Sequence, residues 1–130
     1  MPIFLDTAVV IYLVEYLPLL GQSAADAVAR IGPSEIISNE LVRMEALVMP
    51  RRMGQADLET EFNSFIDGET RIVGFSRGVF DRALGLRAKY RSLKSPDAIY
   101  LSVAIESQCQ KFVTNDKRLL RITEIQVEII

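Results

Sequence analysis

Near its start the chain carries the stretch Ile-Phe-Leu-Asp-Thr, residues 3–7. Its apolar run predicts a short strand over Ile3–Leu5 that ends at an acidic residue. The segment Ala8–Tyr16 that follows has the character of a helix until Pro18 stops it. The same alternation of strand and helix returns along the chain. Because parallel neighbours need a crossover and both sheet faces must be buried, the sequence predicts an α/β fold, with a central, mainly parallel sheet between two layers of helices.

The remaining strands and helices are predicted from apolar runs, capping residues, proline and glycine. The predicted strands are Glu35–Ser38, Arg71–Gly74, Lys111–Thr114 and Ile125–Ile130. The predicted helices are Ser23 to about Arg30, Asn39 to Pro50, Gln55–Ile66, Arg77 to about Tyr90, Ser95 to roughly Ser107, and a short helix that begins near Asp116. Since no repeat or linker divides the chain, we expect one domain over residues 1–130.

The composition narrows the possible chemistry. The 130 residues include no histidine, and Cys109 is the only cysteine. The lack of histidine excludes histidine-based zinc sites, Ser-His triads and imidazole acid-base catalysis. One cysteine cannot form an internal disulfide or a thiolate metal cage. Any catalysis must therefore use carboxylates, hydroxyls, amides, lysine or arginine.

The hydropathy and the charge of the chain restrict where the protein can be located in the cell and which partners it can bind. The longest purely apolar run, Ala8–Val14, is far shorter than the ~20 residues that cross a bilayer. The N-terminus has no basic leader before a long apolar stretch, so we expect no membrane span, no signal peptide and a cytoplasmic location. The chain has 15 basic and 17 acidic residues, so it offers a nucleic acid no global basic field.

Three aspartates stand where predicted helices begin. Asp6 ends the first strand, Asp116 follows the fourth strand, and Asp97 lies in the first turn of the helix that opens at Ser95. Ligands of open α/β sheets bind outside the carboxyl ends of the strands, so Asp6 and Asp116 can meet there if their strands are neighbours. Taken singly, each aspartate is also explained as a helix cap, and Glu45 as an ordinary solvent-facing residue of an apolar helix.

Taken together, these four acids resemble those of the PIN-domain ribonucleases in their order and context. The matching stretches are Ile-Phe-Leu-Asp-Thr at 3–7, Ser-Asn-Glu-Leu-Val-Arg-Met-Glu-Ala-Leu at 38–47, Ser-Pro-Asp-Ala-Ile-Tyr-Leu at 95–101 and Phe-Val-Thr-Asn-Asp at 112–116. The resemblance covers the full chain. Within the family, the chain looks most like the small VapC-type toxins of bacterial and archaeal toxin-antitoxin pairs.

The resemblance implies a metal-dependent endoribonuclease that hydrolyses RNA phosphodiester bonds. It implies that Asp6, Glu45, Asp97 and Asp116 form the catalytic cluster, with Asp6, Asp97 and Asp116 as metal ligands and Thr114 as a supporting polar residue. Two carboxylates ~5 Å apart repel by roughly 3 kcal/mol at an effective dielectric of ~20, so such a cluster must bind cations or protonate. Oxygen ligands without histidine or thiolate favour Mg²⁺, with Mn²⁺ as a possible substitute, over zinc.

Basic residues near these motifs are candidates for RNA binding. Without the four clustered acids, 13 acidic residues face 15 basic ones, a sign that suits an RNA ligand. Arg87, Arg91 and Lys94 recur at i, i+4 and i+7, so they can share a helix face that leads to Asp97. The pair Lys117-Arg118 directly follows the stretch Phe-Val-Thr-Asn-Asp at 112–116. The alternative is that all of these are ordinary solvated charges.

Three functions compete at this stage. In the first, the chain is the toxin of a toxin-antitoxin pair, and the resemblance then implies a cognate antitoxin and a homodimer. A hydrophobic content of 49% and a mean hydropathy of +0.19 favour such interfaces, although a well-filled core also explains them. In the second, a PIN-like protein binds RNA or a partner without cutting. A phosphotransfer domain fits poorly, because Ala8 stands where a dehalogenase-like enzyme needs a second aspartate.

Overall fold

The computed structural model describes residues 1–130 as five strands and six α-helices. The strands are β1 (Ile3–Leu5), β2 (Ile36–Ser38), β3 (Thr70–Ile72), β4 (Lys111–Thr114) and β5 (Val127–Ile129). The helices are α1 (Thr7–Glu15), α2 (Leu20–Ile31), α3 (Glu40–Arg52), α4 (Ala56–Glu69), α5 (Arg77–Lys89) and α6 (Ser95–Glu106). A 3₁₀ helix, Lys117–Arg121, follows β4.

The strands form one sheet in the order β3-β2-β1-β4-β5. Every neighbouring pair is parallel, so the predicted α/β class is confirmed and the sheet is wholly parallel. Ile3 lies opposite both Ile36 and Lys111, and Leu5 lies opposite Val113. The chain moves outward from β1 to β3 and later from β4 to β5, so the strand order switches direction between β1 and β4. A crevice opens at the carboxyl ends of strands at such a point.

The helices cover both faces of the sheet. Parallel crossovers are right-handed, so the helices between β1, β2 and β3 lie on one face, and α5 and α6, which lead back to β4, lie on the other. The contacts agree with this arrangement, because α1 packs against α3 and α4, and α5 packs against α6. The predicted three-layer architecture is confirmed.

The central strand β1 lies in the core, packed against β4 and α6. The three residues of β1 are completely buried, and Phe4 stacks on Phe112 with ring centroids 5.3 Å apart. The ring of Tyr100, from α6, packs 5.8 Å from Phe4. Aromatic side chains bury about 150–250 Å² each, so these three rings dominate the local packing. The site at the carboxyl end of β1 therefore lies directly against the packed core.

Some predicted helix boundaries are wrong. Pro50 does not close its helix, because it lies in the last turn of α3, where its missing N–H removes one hydrogen bond and the helix continues to Arg52. Ser23 does not cap its helix, since α2 already begins at Leu20, after a turn in which Leu19 has a φ of 66°. The helix α4 extends three residues beyond its predicted end, to Glu69.

No single helix is long and apolar enough to cross a membrane. The helices α1 and α2 meet the length and composition criteria only as a pair, with a bend of 111° between them.

Candidate active site

Asp6 and Thr114 meet at the switch point of the sheet. Asp6 follows β1 directly, and its backbone N–H donates to the carbonyl of Val113 at 2.9 Å. Its Oδ1 accepts the backbone N–H of Thr7 at 2.8 Å and so caps α1, while its Oδ2 accepts the hydroxyl of Thr114 at 2.7 Å. Thr114 is fully buried at the end of β4. The parallel pairing of β1 with β4 therefore brings Thr114 to one oxygen of Asp6, while the start of α1 holds the other.

Glu45 reaches the same edge of the sheet from α3. Its Oε1 accepts a hydrogen bond from the hydroxyl of Tyr100 and another from the hydroxyl of Thr7, at 3.3 Å. The Thr7 hydroxyl also lies 3.2 Å from the Tyr100 hydroxyl, so its single proton is shared between these two acceptors. Glu45 is therefore tethered to α1 and α6 and is not a freely solvated residue. Neither Tyr100 nor Thr7 is a predicted site residue.

Asp97 and Asp116 enter from the other side of the crevice. Asp97 lies half-buried in the first turn of α6. Asp116 follows β4, and its backbone N–H donates to the Thr114 hydroxyl at 3.1 Å. Its carboxylate binds the guanidinium of Arg118 in a bidentate pair, with Nε at 2.9 Å from Oδ1 and Nη2 at 2.8 Å from Oδ2. Asp116 is thus the one acid of the four with a basic partner.

The pKa is raised for three of the four acids and lowered for the fourth. Burial is the main cause that raises the pKa of Asp6, Glu45 and Asp97. Mutual repulsion adds to it: Glu45 and Asp116 act on Asp6, Asp97 acts on Glu45, and both Asp6 and Asp116 act on Asp97. The hydrogen bonds of Arg118 lower the pKa of Asp116. The four predicted acids therefore lie within electrostatic range of one another.

The candidate RNA-binding residues do not share one helix face. The helix α5 ends at Lys89, and Ser92, with a φ of 66°, helps to turn the chain toward α6. Arg87 lies on α5, where Nε donates to the carbonyl of Leu93 at 2.9 Å and Nη1 to the hydroxyl of Ser95 at 3.0 Å. Arg91 is exposed on the connecting loop. The prediction of a shared face is wrong because the helix stops before Arg91 and Lys94, and only Lys94 lines the crevice beside Asp97.

The donor chemistry of the cluster fits a hard divalent cation. The candidate ligands Asp6, Asp97 and Asp116 offer only oxygen atoms, and the charge of Asp6 and Asp97 lacks a basic hydrogen-bond partner. The Oγ of Ser38, fully buried at the carboxyl end of β2 beside β1, has no hydrogen-bond partner. In the observed rotamers no three carboxyl groups form a ready-made ion-binding group.

The fold and the site together define an α/β protein with an acidic cluster at the switch point of a parallel sheet. The family model of the PIN domain matches residues 3–125, and the chain belongs to the PIN domain family. A search of curated protein sequences found no match.

Solved structures with the same fold include toxins of toxin-antitoxin systems. A toxin-antitoxin complex from Klebsiella pneumoniae has a chain with a TM-score of 0.74 and 22% identity, and the similarity covers 97% of this chain and 99% of that one. VapBC2 from Rickettsia felis, bound to a DNA fragment from its promoter, has a TM-score of 0.80 and 19% identity over 100% and 99% of the two chains. VapC20 of Mycobacterium tuberculosis, a toxin that cleaves the sarcin-ricin loop, has a TM-score of 0.72 and 15% identity over 95% and 98%.

Proposed function

We propose that the chain is a metal-dependent endoribonuclease, carried by one domain over residues 1–130, and the toxin of a toxin-antitoxin pair. The observation that carries this proposal is the grouping of Asp6, Glu45, Asp97 and Asp116 at one edge of the sheet, where burial and mutual repulsion raise the pKa of three of them. Membership of the PIN domain family and the folds shared with solved toxins support the same function.

The chain's own residues have distinct roles in this proposal. Asp6, Asp97 and Asp116 hold the cation, which is Mg²⁺ or, as a substitute, Mn²⁺. Thr114 orients Asp6 through its hydroxyl. Glu45 keeps its Oε2 free of hydrogen bonds, so this atom is available to take a proton from a water molecule. When bound, the cation lowers the pKa of a water molecule and stabilises charge at the phosphate.

The decisive variant for this function is Asp97→Asn. It keeps the size and first-turn position of the side chain but removes one anionic ligand, so we expect the loss of RNA cleavage in Mg²⁺. Asp57→Asn is the matched control, because Asp57 lies in the first turn of α4 and is exposed. Equal cleavage by the wild type and Asp97→Asn, on structured RNA substrates, would contradict the proposal. Binding of RNA without any cleavage by the wild type would favour the non-catalytic alternative.

The toxin role requires a surface for an antitoxin. The outer face of α3 exposes Met44, Val48 and Met49, which are each between 40% and 55% accessible. These side chains flank Glu45 on the same helix. An apolar antitoxin segment that lies along this face can place a basic side chain among the acids, where it offsets their repulsion and competes with a cation. Co-expression of the adjacent gene product should relieve growth inhibition by the chain. A complex that forms equally well with Met44→Asp and Val48→Asp variants would contradict this surface.

The proposed homodimer uses a second apolar surface, between α5 and α6. Phe80 and Leu84 are 49% and 69% exposed beside a shallow cavity that Ala98 and Ile99 also line, and Phe75 packs edge-on against Phe80 at 5.9 Å. A second copy of the chain would cover this surface. Light scattering at tens of micromolar should show a dimer for the wild type and a monomer for Leu84→Asp. A wild-type monomer would contradict the assignment.

A further inference from the structure

A cavity of about 280 Å³ opens beside the acidic cluster. Lys94, from the loop before α6, lines one side, and Arg118 and Arg121, from the 3₁₀ helix after β4, line another. Asp97 and Asp116 form the wall that the cavity shares with the cluster. A ligand in this cavity therefore lies directly next to two of the proposed cation ligands.

The cavity carries more positive than negative side chains, although it adjoins an acidic site. Three basic side chains line the cavity, against the two carboxylates of Asp97 and Asp116. Neither Lys94 nor Arg121 forms an ion pair, although Lys94 is close enough to Asp97 and Asp116 to lower the pKa of both. Arg121 instead lies over the ring of Tyr90, 5.9 Å from its centre. These two side chains are free to bind an anion from solution.

Arg118 is held in place and still offers donors. The pair with Asp116 uses Nε and Nη2, which leaves the N–H groups of Nη1 free. The side chain is 72% exposed, so these donors face solvent at the cavity. The Asp116 carboxylate thus anchors the guanidinium at a defined position, where it can bind an anion without leaving its partner.

The lining selects a phosphate over a base. Only Leu93 and Leu119 are hydrophobic, and no aromatic side chain lines the cavity, so a nucleobase finds no ring on which to stack. Lysine and arginine donors are those that bind phosphate oxygens. The volume is close to the lower end of the ~300–1,000 Å³ of small-molecule sites, which suits one phosphate with its sugar.

We propose that this cavity binds a backbone phosphate of the RNA strand, next to the bond that the acidic cluster cleaves, through Lys94, Arg118 and Arg121. The assignment rests on the proposed function for the identity of the strand. Contacts to phosphate position a strand without reading its sequence. The cavity therefore fixes the register of the strand against the cluster, and selection among RNA targets belongs to other surfaces.

The test measures binding of a labelled single-stranded RNA 12-mer by fluorescence anisotropy, at several salt concentrations and in chelator, so that no cleavage occurs. Each single-strand phosphate contact contributes about 0.7 to the slope of log affinity against log salt. We expect the triple variant of Lys94→Gln, Arg118→Gln and Arg121→Gln to lower the slope by about 0.7, the contribution of one phosphate, and each single variant to lower it by a part of that, with equal losses for RNAs of different sequence. Arg82→Gln is the matched control, because Arg82 is also ion-paired but binds Glu106 at the far end of α6.

The outcomes separate this site from the proposed function. An unchanged slope in the triple variant, an equal loss in Arg82→Gln, a loss confined to one RNA sequence, or no RNA binding by the wild type would each overturn the phosphate site. A wild type that binds with the expected slopes but never cleaves RNA in Mg²⁺ would overturn the nuclease function and leave the phosphate site standing.

Discussion

Removal of one hydroxyl group, in the substitution Tyr100→Phe, tests whether the buried network positions Glu45. Tyr100 is 2% exposed, and its ring packs against Phe4, so phenylalanine keeps the packing and deletes only the hydrogen bonds. The change leaves Glu45 with the Thr7 hydroxyl at 3.3 Å as its one remaining donor.

The expected magnitude follows from the bond that is lost. A hydrogen bond to a charged group contributes about 1.5–3 kcal/mol. Glu45 is only half-buried, so water can replace part of the interaction and we expect a loss of about 1.5 kcal/mol at neutral pH. The Thr7 hydroxyl, 3.2 Å from the deleted hydroxyl, loses a contact as well and contributes to this loss. A double-mutant cycle with Glu45→Gln isolates the share that depends on the charge of Glu45.

The assay is urea unfolding of the wild type, Tyr100→Phe, Glu45→Gln and the double variant in metal-free buffer. A coupling energy of about 1 kcal/mol or more is expected between the two positions. In cleavage assays, Tyr100→Phe should lower kcat by up to about tenfold while RNA binding stays unchanged, because Glu45 loses orientation and not charge. A coupling energy under about 0.5 kcal/mol, together with wild-type kcat, would refute the positioning role.

Three further predictions concern charge and metal. Asp6→Asn should abolish cleavage while metal-free stability in urea holds or rises, because asparagine still caps the Thr7 N–H and relieves repulsion; a large loss of stability would count against this reasoning. The pKa of Asp6, Glu45 and Asp97 is raised in the folded protein, so their ionisation opposes folding. Their contribution to the free energy of unfolding is fully present below about pH 4, which is their pKa in the unfolded chain, and it is lost as the pH rises through their pKa in the folded protein. Measured by urea unfolding, the free energy of unfolding should fall less steeply with rising pH in Asp97→Asn than in the wild type. The same pH profile in both proteins would contradict the pKa shifts. Mg²⁺ at 100 times its Kd should stabilise the wild type by about 2.7 kcal/mol but not Asp97→Asn, and equal stabilisation of both would place the ion elsewhere.

The sequence was sufficient to predict the architecture, whereas the four acids were singled out by the resemblance to the PIN-domain ribonucleases. Strand and helix alternate clearly along the chain, and Asp6, Asp97 and Asp116 stand at positions where a strand ends or a helix begins. Such boundaries are local signals, so they can be identified without knowing which strands pair. The grouping of the acids also depends on the pairing of β1 with β4, which the sequence permitted but did not prove.

Long-range hydrogen bonds explain what the sequence did not reveal. Tyr100 lies in an apolar stretch and looks like an ordinary core residue, since its partner Glu45 is 55 positions away. Thr7 looks like a residue of the first helical turn. The end of α5 was predicted at about Tyr90, within one residue of its position at Lys89, but the shared face was wrong because Arg91 and Lys94 lie beyond that end, where Ser92 turns the chain in a left-handed backbone conformation.

Cleavage of structured RNA by the purified wild type, measured in Mg²⁺, in Mn²⁺ and in excess chelator beside Asp6→Asn, tests the proposed carboxylate and metal chemistry most directly. We expect cleavage by the wild type only when a divalent cation is present, and none by Asp6→Asn under any condition. Asp6 is the acid whose two oxygens are held by Thr7 and Thr114 at the carboxyl end of β1. Undiminished cleavage in excess chelator, or equal cleavage by Asp6→Asn, would contradict this chemistry.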